Sequence, residues 1–191
     1  MNTTTPPAST THYPAPPKSQ KIEQHTLSVL VDNEPGVLAR VIGLFSGRGY
    51  NIDSLTVSET EHQKHVSRIT IVTRGTPMVI EQIKNQLERL VPIHRVIDVT
   101  LTGQAIEHEL AMIKVRGVGD ERAKALGIAN DFDARVVDDT TESFIFEVSG
   151  ATDKIERCIA ALLPVGLIEV SRSGIVAITR GVEGMESRAT G

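Results

Sequence analysis

The feature that most constrains this chain is an order of hydrophobic periodicities that runs through once and then repeats. Residues 25–32 put Leu27, Val29 and Val31 at alternate positions, which predicts a strand with one buried face. Asn33-Glu34-Pro35-Gly36 breaks that run. Val37, Leu38, Val41, Ile42, Leu44 and Phe45 then recur at helical spacing, up to Gly47 and Gly49. Two strands follow at 51–59 and 65–73, separated by the polar stretch 60–64. Leu55 and Val57 in one, and Ile69 and Ile71 in the other, fit a pair packed beneath helices. Pro77 sits where a second helix can begin, because its missing N–H loses no partner there. Ile80, Ile83, Leu87 and Leu90 form the apolar face of that helix, and a last strand at 93–101 carries Ile93, Ile97, Val99 and Leu101 on one parity. The order is β-α-β-β-α-β.

The same order then recurs. A strand is predicted at 109–116 and a helix at 119–130 with Ala123, Leu126 and Ala129; strands at 134–138 and 143–149 are joined across 139–142. A helix at 152–163 and a strand at 167–179, broken near Gly174, complete it. The fold class expected is α+β, with two ferredoxin-like βαββαβ modules at 22–101 and 106–180 and a hinge at 102–105. Residues 1–20 hold Pro6-Pro7, Pro14 and Pro16-Pro17 with almost nothing apolar to bury, so a disordered tail is expected there and a flexible one at 181–191. With two Tyr, four Phe and no Trp among 191 residues, the core must be built from Ile, Leu, Val and Ala.

Several function classes fit poorly. A net charge of −4 with scattered Lys and Arg argues against nucleic acid, since Lys64, His65 and Arg68 are diluted by Glu59 and Glu61. No run is apolar enough for a membrane span, and no basic start leads into an apolar stretch, so a cytoplasmic protein is expected. Cys158, the single cysteine, falls among Ile155, Ile159 and Leu162 as a small buried hydrophobe. Phosphate-binding glycine loops are absent. Gly117-Val118-Gly119 lacks a third glycine, and Asp120 and Glu121 would repel a pyrophosphate at the helix start. His62 and His65 have no completing metal ligand. His25, His94 and His108 are scattered, Ser46, Ser54 and Ser149 lack an activating motif, and Asp138-Asp139 reads as a hydrated turn. No catalytic residue and no bound metal or cofactor is expected of this chain.

One place can hold a small ligand. In Asp32-Asn33-Glu34-Pro35-Gly36-Val37-Leu38 a strand turns straight into a helix, whose first N–H groups, around Val37 and Leu38, have no intrahelical acceptor and favour a carboxylate. Gly36 admits close approach, and Asn33 offers both donors and an acceptor. Asn51 and the Ile52 backbone, where the helix hands over to the next strand, supply a second polar group if a neighbouring copy presents them. By propensity alone the same residues are a good turn and a cap. The residues leave both readings open.

The block Asn33-Glu34-Pro35-Gly36-Val37-Leu38-Ala39-Arg40-Val41 resembles the N-terminal ACT domain of acetolactate (acetohydroxyacid) synthase small subunits. So does Gly43-Leu44-Phe45-Ser46-Gly47-Arg48-Gly49-Tyr50-Asn51-Ile52-Asp53-Ser54-Leu55-Thr56-Val57, and Ser67-Arg68-Ile69-Thr70-Ile71-Val72 matches the next strand. Ile168-Glu169-Val170-Ser171-Arg172-Ser173-Gly174-Ile175-Val176-Ala177 is similar to the family's C-terminal segment, and Pro35 stands where enterobacterial members commonly have Ser. The resemblance implies a regulatory subunit without an active site, in branched-chain amino-acid biosynthesis. It implies a large catalytic partner that carries thiamine diphosphate (ThDP), Mg2+ and FAD and condenses pyruvate with pyruvate or 2-oxobutyrate. Activation of that partner and feedback inhibition by valine, or a related branched-chain amino acid, are implied too. So is self-association through ACT domains, with the effector held by Asn33, Gly36, Val37 and Leu38 of one chain and Asn51 and Ile52 of another. The loop 60–64 resembles the segment that reaches toward the large subunit. The alternatives are a free-standing ACT-type amino-acid-binding regulator and a structural assembly module.

Overall fold

A computed structural model describes residues 21–61, 65–103, 105–182 and 184–185. The first unit runs β1 (Glu23–Asp32), α1 (Val37–Arg48), β2 (Ser54–Glu61), β3 (Val66–Gly75), α2 (Pro77–Leu87) and β4 (Ile93–Asp98). Its strands form an antiparallel sheet in the order β2-β3-β1-β4. Leu27 faces Ile71 and Val29 faces Ile69 across the β1–β3 ladder, and these side chains pack on Val41, Phe45, Ile80, Ile83 and Leu87 of the two helices. α2 starts as its sequence predicts: the Thr76 hydroxyl accepts the Val79 amide, and Pro77 occupies the first turn.

β1 departs from the one-faced strand that its alternation predicts. Thr26 and Ser28, on the parity opposite Leu27 and Val29, are as fully buried as the apolar positions. The cover comes from the far end of the chain. β9 (Val176–Thr179) and the residues after it lie over Ser28, Arg68, Ile97 and Val99. The Ser28 hydroxyl meets the Met185 sulfur at 3.3 Å, and Arg95 donates to the Met185 carbonyl. Met185, inside the stretch 181–191 expected to be a flexible tail, is therefore buried against the first sheet.

The same layer corrects the parity assigned to the fourth strand. A register shift at Leu30/Val31 turns Ile93 toward the helices, whereas Ile97 and Val99 face β9 and Val96 fills the helix-side core. The strand stops at Asp98, short of 101, because its carboxylate accepts the amides of Thr100 and Leu101 and folds the chain into a turn. Leu101 is left exposed.

The second unit contains β5 (Ala105–Arg116), α3 (Asp120–Asp131), β6 (Arg135–Asp139), β7 (Ser143–Gly150), α4 (Thr152–Leu162) and β8 (Leu167–Arg172). Its sheet order, β6-β7-β5-β8, repeats that of the first unit. Ala111, Ile113, Val115, Phe144, Phe146 and Val148 pack against Ala125, Ala129, Ile155, Cys158 and Leu162. Ala125, rather than the expected Ala123, takes the core position on α3. β5 pairs with three strands: residues 105–108 with β9, and residues 109–116 with β7 and β8. The start of β5 thus carries β9 to its place over the first sheet.

Candidate functional site

The turn between β1 and α1 is open to solvent and tied down from behind. Asn33 donates its amide to the His65 carbonyl at 2.6 Å, Glu34 donates to the Asp32 carbonyl, and Asp32 donates to the Pro92 carbonyl. His94 Nε2 lies 2.6 Å from Asp32 Oδ1, and Arg40 donates to the Val91 carbonyl. Nothing local in the sequence marks these anchors, since His94 is 62 positions from Asp32. Gly36 caps the helix in the left-handed region (φ 88°, ψ −10°), where a side chain is disfavoured, and the space beside it is empty.

The Val37 amide turns back to the Glu34 carbonyl at 3.4 Å, whereas the amides of Gly36, Leu38 and Ala39 have no acceptor among the described residues. The Val37 acceptor lies outside the helix, so the amides around Val37 and Leu38 have no intrahelical partner. Asn33 and Leu38 are exposed, and Val37 points into the core. No acidic side chain occupies the first turn of α1, so the positive end of the helix dipole is unopposed.

Asn51 and Ile52 lie at the other end of α1. Twelve helical residues separate the two ends by about 18 Å. One chain does not bring Asn33–Leu38 and Asn51–Ile52 together. Asn51 donates Nδ2 to Asp53 Oδ1 at 2.5 Å and accepts the Thr73 hydroxyl on its carbonyl at 2.6 Å. Asp53 Oδ2 in turn receives Arg74 Nε at 2.7 Å. These bonds hold 51–53 as an irregular lead-in, so β2 begins at Ser54 rather than at 51. β2 is an edge strand, and its backbone groups away from β3 face no other strand of the sheet.

The corresponding turn of the second unit is also open beside Gly119, but it is bridged by an arginine of its own chain. Arg122 donates to the carbonyls of Gly117 (3.3 Å) and Thr140 (2.9 Å) and pairs with Asp139. Its guanidinium stacks 4.0 Å from the centre of the Phe144 ring. Asp120 and Glu121 already occupy the first turn of α3. A ligand carboxylate would meet the two negative charges of Asp120 and Glu121.

Between the units a cleft of about 460 Å³ is lined by Asp53, Arg74, Glu109, Glu156, Arg172 and Gly174, among others. Glu109 is buried and takes two hydrogen bonds from Arg172, whose third contact is to Glu156. The Glu109 hydrogen bond raises the guanidinium further above its ordinary value; burial pulls the other way, and Glu156 adds to the rise. Burial pushes the Cys158 thiol up, against the pull of Lys154. His25 and Asp98 form a buried pair at 2.8 Å under the first sheet. His62 lies outside the described residues. Among the described residues no cluster of His, Cys, Asp and Glu is placed to hold a metal, and no helix is long and apolar enough to cross a membrane.

Two βαββαβ units, with a strand-to-helix turn free of first-turn acid in the first alone, define a two-module regulatory protein of the ACT class. Residues 27–95 match the AHAS small subunit-like ACT domain, and residues 108–181 match the family described as the small subunit of acetolactate synthase. A probable acetolactate synthase small subunit of Archaeoglobus fulgidus is 44% identical over 158 residues, covering 83% of this chain and 98% of that protein. The acetolactate synthase small subunit of Mycolicibacterium smegmatis is 44% identical over 161 residues, covering 84% and 94%. The crystal structure of the Thermotoga maritima small subunit superposes with a TM-score of 0.77 at 36% identity, over 84% of this chain and 99% of that one. The chain belongs to the acetolactate synthase small-subunit family. It is the regulatory member of an enzyme complex, and membership implies a large catalytic partner.

Proposed function

We propose that this chain activates its catalytic partner and makes it sensitive to valine, with the effector bound between two copies of the first unit. The carboxylate sits over the amides at the start of α1, with Gly36 leaving room and Asn33 at the side. Asn51 and the Ile52 backbone of a second copy approach from across the β2 edges and take the ammonium. The observation that carries this reading is the pair of half-sites at opposite ends of α1, each open and neither sufficient alone. A pocket made from both needs two chains, which fits an edge strand left free.

ThDP, Mg2+ and FAD belong on the large subunit, where pyruvate condenses with pyruvate or 2-oxobutyrate. Thr60 and Glu61, the last residues of β2, lead into the connection to β3 that reaches toward that partner; residues 62–64 lie outside the described residues. Valine shifts the complex only through a difference in affinity between active and inhibited arrangements. The test is acetolactate formation by the large subunit, with and without this chain, across a valine titration, beside calorimetry of valine with this chain. The expected result is activation on adding the chain and inhibition as valine rises. Activation without any valine binding would reject the sensing role. A chain that binds valine but captures no large subunit would instead be a free-standing regulator.

A further inference from the structure

We propose that the turn Ser173-Gly174-Ile175, between β8 and β9, is the contact through which the effector segment at Asn51–Ile52 acts on the second unit. The inference rests on the effector site proposed above and assigns residues to its regulation. Ile175 donates its amide to Ser54 Oγ at 3.0 Å, across 121 positions of sequence. Gly174 lies so close to β2 that a Cβ there would stand 2.8 Å from Thr56 Oγ1 and 2.9 Å from Ser54 Oγ. Its φ of +83° also suits glycine. On the opposite side the turn is fixed to β5: Ser173 donates its amide to the Leu110 carbonyl, and its hydroxyl accepts the Leu110 amide. The turn therefore moves with the second unit and touches the first at Ser54 and Thr56.

Ser54 follows directly on the segment that carries Asn51, Ile52 and Asp53. Asn51 is bonded to Asp53, Asp53 to Arg74, and Asp53, Arg74, Ser54 and Gly174 line the same cleft. Ser54 and Thr56 face Val72 and Thr70 across the ladder, so the turn docks on the sheet face and leaves the β2 edge free. A displacement of 51–53 by a ligand thus reaches Ser54 within one residue and the second unit within one hydrogen bond. The docked turn is also imperfect. Thr56 Oγ1 is buried and has no hydrogen-bond partner among the described residues. An arrangement that leaves a hydroxyl unpaired is one that a small bias can exchange for another.

The test uses the full chain in complex with its large subunit. Ser54→Ala removes the acceptor, and Gly174→Ala inserts a methyl group into the contact. For both, activation and valine binding by the free chain are expected to stay within about threefold of wild type. The valine concentration for half-inhibition is expected to rise about tenfold in the complex, or inhibition at saturation to fall. Amide exchange at Ile175 should respond to valine in the wild-type chain and cease to respond in Ser54→Ala. If Ser54→Ala is inhibited as the wild type is, and Ile175 exchange ignores valine, the proposal is overturned even where Gly174→Ala misfolds. If the wild-type chain binds no valine, the effector site itself fails and this coupling falls with it.

Discussion

Helices α1 and α3 occupy the same place in two units of the same topology, yet one begins with no acid in its first turn and the other with two carboxylates beside an arginine bridge. At α1 the cap is a left-handed glycine, the first turn lacks acid, and amides point outward unpaired. At α3 an arginine bridges back to Gly117 and Thr140, while Asp120 and Glu121 satisfy the helix dipole. Topology supplies the helix start in both. Whether that start is available to a ligand depends on a few side chains of the turn and its neighbours.

Gly36→Asp tests the contrast most severely. Asp tolerates the left-handed region better than most residues, and the position is exposed, so folding should survive. A carboxylate over the free amides should raise the valine concentration for half-inhibition by more than about 100-fold, at the upper end of typical couplings, with activation retained. In the second unit Gly119→Ala meets a backbone at φ 62°, ψ −139° that Ala adopts poorly. It should cost about 1–3 kcal/mol in chemical denaturation yet leave the valine response within about twofold of wild type. A lost response there would break the comparison.

Arg122→Ala should remove the bridge across the second turn, lowering stability by about 1–3 kcal/mol through unpaired carbonyls and a lost stacking contact. Calorimetry should still find no added valine site, because Asp120 and Glu121 remain. Met185→Ala, which thins the cover over the first sheet, should lower stability by about 1.5 kcal/mol in a thermal or urea melt. The smallest expected effect is on Cys158. Its raised thiol pKa and its burial should make alkylation at pH 8 at least about 100-fold slower than in the unfolded chain. Valine should change that rate by less than about twofold, since a second unit displaced as a rigid body keeps its core closed.

The order of elements was legible because apolar spacing switches cleanly between two and 3.6, and Pro35-Gly36 and Pro77 punctuate it. The open turn was legible for the same reason. The second buried face of β1 was not, because Thr26 and Ser28 look like solvent-facing residues until the far end of the chain covers them. Ile93 was grouped with Ile97 and Val99 because a one-residue shift at Leu30/Val31 reverses parity without leaving a mark in composition. Arg122 was missed as the bridge of the second turn, since the carbonyl it reaches at Thr140 lies 18 positions away. Asn51 and Ile52 belong with Asn33 only if a second molecule is counted, and periodicity says nothing of second molecules.

The pairing of β5 with β9, which lies over the first sheet, also bears on where a gene can be shortened. The expected boundary near 102–105 is a poor place to divide the protein, because the cover of the first sheet is encoded some seventy residues later, in β9 and Met185. A premature stop late in the coding sequence would unroof the beginning of the protein, baring Thr26, Ser28, Ile97 and Val99 while every residue of the sensing turn is still present.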